Sequence, residues 1–377
     1  MNVVMLLSNP FRPDPRVLKE ASSLKKNGYK VSILCWDRRS EFPTEEVYEG
    51  ITIRRITIPS SYASGPQQVL HIPRFWYQAL NIVKELKPDI LHCHDLDTTP
   101  IGYLYSRKTN IPWIYDAHEY YPEQMRQQVG RFLYQLLLLL DNFMAKRACK
   151  MITINELLAR HFRTLGGRVS IVGNYQPVWG KQPRVISRSD AGIREEAYLV
   201  AYIGGFTSAR AILPLIHATD IYKDATVLLV GDGSQRKQIE AELPNYPQVQ
   251  YTGWIPHAEI ESYFHLADTI YYGLYAASGN SRFSSPNALF QAMKFGKPII
   301  TTDLGEIADI VRADKCGIVI DKPTAPQIAQ AIQILSDENE RQRLGANGRR
   351  AAERKYNWEV SETSLLGVYQ DILSKQN

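Results

Sequence analysis

Short runs of β-branched and apolar residues recur along this chain, each followed by a stretch with helical spacing, and the series is played twice. That rhythm constrains the fold strongly. Strands joined through helices lie parallel, and a parallel sheet needs both faces covered. The spacing predicts strands over Val3–Leu7, Lys30–Trp36, Ile51–Ile58, Asp89–Cys93, Trp113–Tyr115, Met151–Ile154 and Val169–Val172. Helical patterns fall over Arg16–Asn27 (ended by Gly28), Tyr77–Leu86 (stopped before Pro88) and Arg131–Cys149. Between Asn174 and Gly192 the pattern lapses into proline, glycine and mixed charge, the composition of a linker. A second series runs through Tyr198–Ile203, Thr226–Val230, Val249–Tyr251, Thr269–Tyr272, Ile299–Thr301 and Gly317–Ile320, and a last helical pattern covers Trp358–Leu373. The expected class is α/β. Two Rossmann-like, doubly wound parallel-sheet domains, 1–173 and 196–357, would face across a cleft, with a linker over 174–195 and a C-terminal helix over 358–377.

Composition narrows the setting. Hydrophobic residues make up 44% of the 377, enough for two cores, and 22% charged residues argue against disorder. Cys35, Cys93, Cys149 and Cys316 have no paired spacing, which argues for a reducing compartment and against a disulfide framework or a zinc site. The first residues read as a strand rather than a signal peptide, so a cytoplasmic setting is expected. Leu136–Leu140, bounded by Gln135 and Asp141, falls far short of the roughly 18 apolar residues of a membrane span. It reads as buried helix, with contact to a lipid surface as the alternative.

Charge is uneven. Lys and Arg outnumber Asp and Glu by 23 to 16 in residues 1–170 and fall short, 21 to 23, in the remainder. A basic first half suits an anionic partner, either a phosphorylated acceptor or the acidic headgroups at the inner face of a plasma membrane. The basic pairs Lys25-Lys26, Arg38-Arg39 and Arg54-Arg55 stand isolated without interleaved aromatics, so a nucleic-acid groove is not expected.

Chemistry is most legible from Ser284 to Glu306. Ser285 reads as a helix cap and Pro286 as the first helical residue. Leu289, Phe290 and Met293 follow at helical spacing, Gly296 ends the run, and a buried strand comes next. Such a helix start presents unpaired N–H groups and partial positive charge to a phosphate. Gly204-Gly205 and Gly231-Asp232-Gly233 each follow a strand, where glycine lets backbone approach a ligand closely. No G-x-G-x-x-G opens a helix and no P-loop lysine follows a strand, which weighs against NAD and ATP.

Taken in order, these segments resemble the retaining, nucleotide-sugar-dependent glycosyltransferases of family 4, which have the GT-B architecture. The resemblance spans nearly the whole chain and implies roles residue by residue. Arg210, in Phe206-Thr207-Ser208-Ala209-Arg210, matches the basic residue that neutralises the departing diphosphate. Trp254 and Ile255, in Val249–Pro256, match the segment that contacts the base. Ser284, Ser285, Pro286, Asn287, Leu289 and Gln291 match the donor helix, and Gly204, Gly205 and Gly231 the donor-side turns. In the first half, Pro13–Val17, His92–Asp95 and Tyr115–Glu119 are similar to family segments, with His118 at the sugar-contacting histidine. An acceptor would then lie near Asp14, Arg16, Glu119 and Tyr120, and the last helix would cross back to brace the first domain.

Some positions depart from the pattern. The family carries two glutamates eight positions apart where this chain has Phe283 and Gln291, and a lysine where it has Ala288. Gln291 still offers a carbonyl acceptor and an amide donor to a ribose, without charge. His92-Cys93-His94-Asp95-Leu96-Asp97 fails the H-x-H-x-D-H pattern of dinuclear hydrolases, and Asp95-x-Asp97 reads as polar loop, so neither a metal nor a resident cofactor is expected. The resemblance implies a nucleotide-sugar donor, UDP-sugar first, and a glycan or lipid-linked acceptor in surface polysaccharide synthesis. A nucleotide-sugar epimerase and a degenerate, non-catalytic partner subunit are the alternatives.

Overall fold

The computed structural model describes residues 1–12, 14–60, 68–126, 128–179, 184–276, 283 and 285–374. The chain forms two compact units, Met1–Asn174 with Ser361–Asn377, and Tyr175–Val360. In the first unit the strands are β1 (Asn2–Leu7), β2 (Lys30–Asp37), β3 (Glu45–Tyr48), β4 (Ile51–Thr57), β5 (Ile90–His94), β6 (Trp113–Ala117), β7 (Lys150–Thr153) and β8 (Val169–Ile171). Its helices are α1 (Pro15–Lys26), α2 (Gln68–Leu86), α3 (Thr99–Thr109), α4 (Tyr121–Met125), α5 (Arg131–Arg147) and α6 (Glu156–Thr164). The sheet order is β3-β4-β2-β1-β5-β6-β7-β8. All neighbours are parallel except β3 and β4, an antiparallel hairpin. Glu49 (φ 49°) and Gly50 (φ 71°) both turn through the left-handed region there, as a tight hairpin requires.

Two sequence expectations change in this unit. The α2 helix begins at Gln68 rather than Tyr77 and runs through Pro73. The leucine run is not buried. Asp141, Met144 and Ala145 face inward on α5, while Leu136 and Leu139 are 44% and 65% exposed. The physical reason is Asp141, which accepts a 2.6 Å hydrogen bond from the buried Tyr115 hydroxyl and so sets the inward face.

The second unit holds β9 (Tyr198–Ile203), β10 (Ala225–Val230), β11 (Val249–Gly253), β12 (Thr269–Tyr272), β13 (Ile299–Thr302) and β14 (Gly317–Ile320). Its helices are α7 (Ile212–Ile221), α8 (Arg236–Glu242), α9 (Ile260–Leu266), α10 (Asn287–Lys294), α11 (Gly305–Asp314), α12 (Ala325–Ile334) and α13 (Glu338–Arg354). The order β11-β10-β9-β12-β13-β14 is wholly parallel, with one hydrophobic cluster on each face. Winding reverses between β9 and β12, and ligands of such sheets gather beyond the carboxyl ends at that point. Val178 and Ile193, within the expected linker over 174–195, are instead buried in the cluster on one face.

The last helix, α14 (Trp358–Leu373), carries the chain back to the first unit from Ser361 onward. Tyr369 bonds His92 at 2.9 Å and Ser361 donates to the Gly173 carbonyl at 2.9 Å.

The α10 helix is fixed at its far end by backbone contact. Gly296 (φ 63°) ends it, with Gly296 N–H bonded to Met293 O at 3.1 Å and Lys297 N–H to Ala292 O at 2.8 Å. A Cβ on Gly345 of α13 would lie 2.0 Å from the Gly296 carbonyl oxygen. Gly345→Ala is therefore expected to force α13 off α10 and destabilise the protein by about 2–3 kcal/mol, measured by denaturant unfolding. Unchanged stability would contradict this packing.

Candidate functional site

A cavity of about 370 Å³ opens at the carboxyl ends of β9 and β10 in the second unit, bounded by the loop after β11 and the first turn of α10. It brings together Gly204, Gly205, Gly231, Trp254, Ile255, Asn287 and Gln291, which are far apart in sequence. The glycines are there because the strand ends touch. Gly204 N–H bonds Val230 O and Gly231 N–H bonds Gly253 O, both at 3.0 Å. Gly231 sits at φ 142°, and a Cβ on it would lie 2.0 Å from the Gly204 carbonyl oxygen.

The helix start differs from expectation by one residue. Pro286 has extended backbone (φ −73°, ψ 128°) and is the cap, Asn287 is the first helical residue, and no side chain caps the end. Ser285 thus stands outside the helix, and Ser284 lies outside the described residues. Leu289 is wholly buried in the core, with its N–H bonded to Pro286 O at 3.1 Å, so its side chain makes no part of the cavity.

Gln291 is the most telling wall residue. It is 8% exposed, and its Oε1 is buried without a hydrogen-bond partner. Its Nε2 reaches Glu261 Oε1 at 3.5 Å, a carboxylate that Lys294 already holds at 2.7 Å. A buried, unpaired carbonyl oxygen in a cavity wall is an acceptor awaiting a donor.

Arg210 does not line this cavity. Its guanidinium stacks 4.6 Å above the Tyr272 ring, and its charge also acts on the nearby Tyr202, whose hydroxyl donates to Gly205 O at 2.7 Å. Arg210 thus neighbours a tyrosine that is itself bonded to the Gly204-Gly205 turn. Sequence reasoning missed Gln176, Asp232 and His257 among the lining residues. Asp232 was flagged only by the glycines either side of it. Gln176, in the proline-rich stretch, carried no signal.

A second polar cluster occupies the carboxyl ends of β5 and β6 in the first unit. Arg16 Nη2 lies 3.0 and 3.1 Å from the two Asp116 oxygens and 3.0 Å from Glu20, and Nη1 donates to Val172 O at 2.8 Å. At 4% exposure, Arg16 is a structural ion pair and not an acceptor contact. Tyr120, 7% exposed, packs on His161 and Phe162, so it too is withdrawn from that role. Asp14 caps α1 through Val17 N–H at 3.1 Å and takes a bond from Asn9 at 2.9 Å, while Glu119 is half-buried.

His118 sits at the open side of this cluster, its side chain 18% exposed. Nε2 is 2.9 Å from His94 Nδ1 and 3.5 Å from Asp116, Nδ1 is 3.8 Å from Asp95, and its backbone N–H bonds Asp95 at 3.0 Å. Burial alone would lower its pKa, but Asp95 and Asp116 overcome this and raise it to about 9. Burial holds His92 and His94 below the usual histidine range. For Asp116, burial is outweighed by the Arg16 and His118 cations, which hold its carboxyl well below the usual range. Glu20, His92, His94 and Asp116 present ligand atoms within 4.8 Å of one another. The Arg16 guanidinium lies 3.0 Å from both carboxylates of this group.

Two family models match this chain: a glycosyl transferase 4-like domain over residues 13–174, and glycosyl transferases group 1 over residues 184–351. The chain belongs to the family 4-type glycosyltransferases. This glycosyltransferase is 20% identical over 374 residues to the uncharacterised glycosyltransferase MJ1607 of Methanocaldococcus jannaschii, covering 93% of this chain and 92% of the relative. Its fold is GT-B. The sucrose-phosphate synthase of Thermosynechococcus elongatus aligns over 100% of both chains with TM-score 0.84 at 18% identity. Anabaena Alr3699/HepE in complex with UDP-glucose aligns over 98% of this chain and 99% of its own, with TM-score 0.74 at 14% identity.

The His118 geometry has a titration consequence. A folded pKa of about 9 exceeds the unfolded value of 6.5, so its stabilisation is complete below about pH 6.5 and lost as pH rises through 9. The His118 ring proton should titrate by NMR near pH 9, and Asp95→Asn should move the midpoint down. A midpoint near 6.5 in both proteins would contradict the ion-pair reading.

Proposed function

We propose that this glycosyltransferase takes a sugar from a UDP-sugar and transfers it, with retention, to a hydroxyl of a glycan or lipid-linked acceptor, in surface polysaccharide synthesis. The observation that carries the donor assignment is Gln291 Oε1, an unpaired buried acceptor in the wall of a cavity that ends on an uncapped helix start. A ribose hydroxyl would satisfy that oxygen. The diphosphate would lie against the N–H groups of Asn287 and Ala288 and the Gly204-Gly205 backbone, with Trp254 and Ile255 toward the base. The complex of Anabaena Alr3699/HepE with UDP-glucose supports this donor class.

Chemistry then follows from electrostatics. As the glycosidic bond to phosphate breaks, negative charge grows on the leaving diphosphate. The helix start and Arg210, stacked on Tyr272, are preorganised to meet it. We assign this neutralisation to N–H groups and a guanidinium rather than to a metal. The departing phosphate oxygen takes the acceptor's hydroxyl proton, so no protein nucleophile is invoked. His118, held as a cation, donates a hydrogen bond to a sugar hydroxyl. The excess of basic residues in the first half supports an anionic acceptor or an acidic surface beside it.

Gln291 and Ala288 also favour a second reading, a partner subunit that has lost transfer. Incubation with a panel of nucleotide sugars and calorimetric titration separates the two, since a subunit without donor binding shows no heat with any of them. Gln291→Leu should leave the unliganded protein as stable or more so, because it deletes an unpaired acceptor, while weakening UDP binding by about tenfold. Arg210→Ala should weaken UDP binding by roughly a hundredfold or more with little change in melting temperature. Unaltered affinity in both variants would remove these residues from the donor site.

A further inference from the structure

The α5 helix carries its apolar residues on the wrong side for a core. Phe132, Leu136, Leu139 and Phe143 are 78%, 44%, 65% and 39% exposed. Their 4-3-4 spacing lines them along one helix face for about 16 Å at 1.5 Å rise per residue. Isolated exposed apolar residues need no explanation, but a continuous stripe does. Beside it, α3 packs on α5 through Tyr103, whose ring meets Phe143 edge-on at 5.3 Å, and adds Leu104 at 44% exposure.

The polar residues around the stripe share one sign. Arg131, Lys146 and Arg147 are exposed on α5, and Arg107 and Lys108 are exposed on α3. The only acid on either helix is Asp141, buried against Tyr115. Arg147 lies 5.1 Å from the Phe143 ring, so charge and apolar surface adjoin. Two occupants suit such a stripe, a second helix or a lipid surface. A second copy of this face would bring cations against cations with no exposed acid on these helices to answer them, which is unfavourable. An anionic bilayer answers both features. Apolar side chains enter the headgroup boundary and the cations meet acidic headgroups. No helix among the described residues is long and apolar enough to cross a membrane, so the contact is peripheral.

We infer that the α3–α5 face of the first unit docks this protein on an anionic membrane surface, α5 lying in the interface with its Phe132–Phe143 stripe inserted. This assigns a surface that the donor reading does not require, and adsorption is measured separately from transfer. The test is co-sedimentation of the whole chain with vesicles of phosphatidylcholine alone and with a third of phosphatidylglycerol. Light scattering gives the mass of the free protein. The wild type is expected to partition at least about tenfold better onto the anionic vesicles at low salt and to lose that preference at high salt. Replacing Arg107, Lys108, Lys146 and Arg147 by Gln should lower partitioning at least about fiftyfold. Phe132→Ser with Leu139→Ser, both at exposed positions, should lower it at least about tenfold. Equal partitioning onto neutral and anionic vesicles would overturn the inference, as would full binding by the serine variant. A dimer that dissociates in the serine variant would also overturn it by naming a second copy as the occupant.

Discussion

The candidate donor site depends on one backbone contact, the approach of the Gly231 and Gly204 ends of neighbouring parallel strands. The Gly204 carbonyl lies where any side chain at 231 would have to begin. Because β10 and β9 close on each other this tightly, the cavity is lined at those strand ends by the backbone of Gly204, Gly205 and Gly231. The uncapped start of α10 faces the same space, and α10 is held there by a second glycine contact, Gly296 against Gly345. Both contacts are steric. They place N–H groups by geometry without needing charge.

The two units use opposite devices. In the second, unpaired neutral groups (helix N–H donors and the Gln291 carbonyl) wait at a cavity. In the first, buried charges compensate one another around Asp116 until the outermost member, His118, is left as a cation with part of its ring accessible. The α14 helix takes part through the Tyr369 hydroxyl on His92, so the C-terminal helix belongs to the polar centre of the first unit as well as to its packing. Arg16 shows why buried charge must be read with its partners. Two carboxylates and a carbonyl engage its two terminal nitrogens, and removing it would strand Asp116.

Much of this was legible in the chain. Tyr198–Ile203, Thr269–Tyr272, Gly317–Ile320 and Trp358–Leu373 match their elements residue for residue, because short apolar strand runs and helical spacing both stand out along a chain. The edge strand β3 was not visible: four residues, two of them glutamates, form it only by pairing with β4 across a tight turn. The leucines of α5 misled for a related reason. Periodicity reports which residues share a face, and only tertiary contacts, here Tyr115 on Asp141, decide which face turns inward. At the candidate site, residues announced by glycines after strands or by the helix start were found in the cavity, whereas Ser285 stands just outside the helix, Leu289 is core, Arg16 an ion pair and Tyr120 is packed on aromatic rings. Motif spacing locates a segment, and one residue of helix register redistributes the roles within it.

The most direct test is a crystal structure of the protein grown with UDP. The account predicts the diphosphate against the N–H groups of Asn287 and Ala288 and a ribose hydroxyl within about 3 Å of Gln291 Oε1. UDP bound elsewhere, or a cavity closed over by its own side chains with Gln291 Oε1 paired inside the protein, would contradict it.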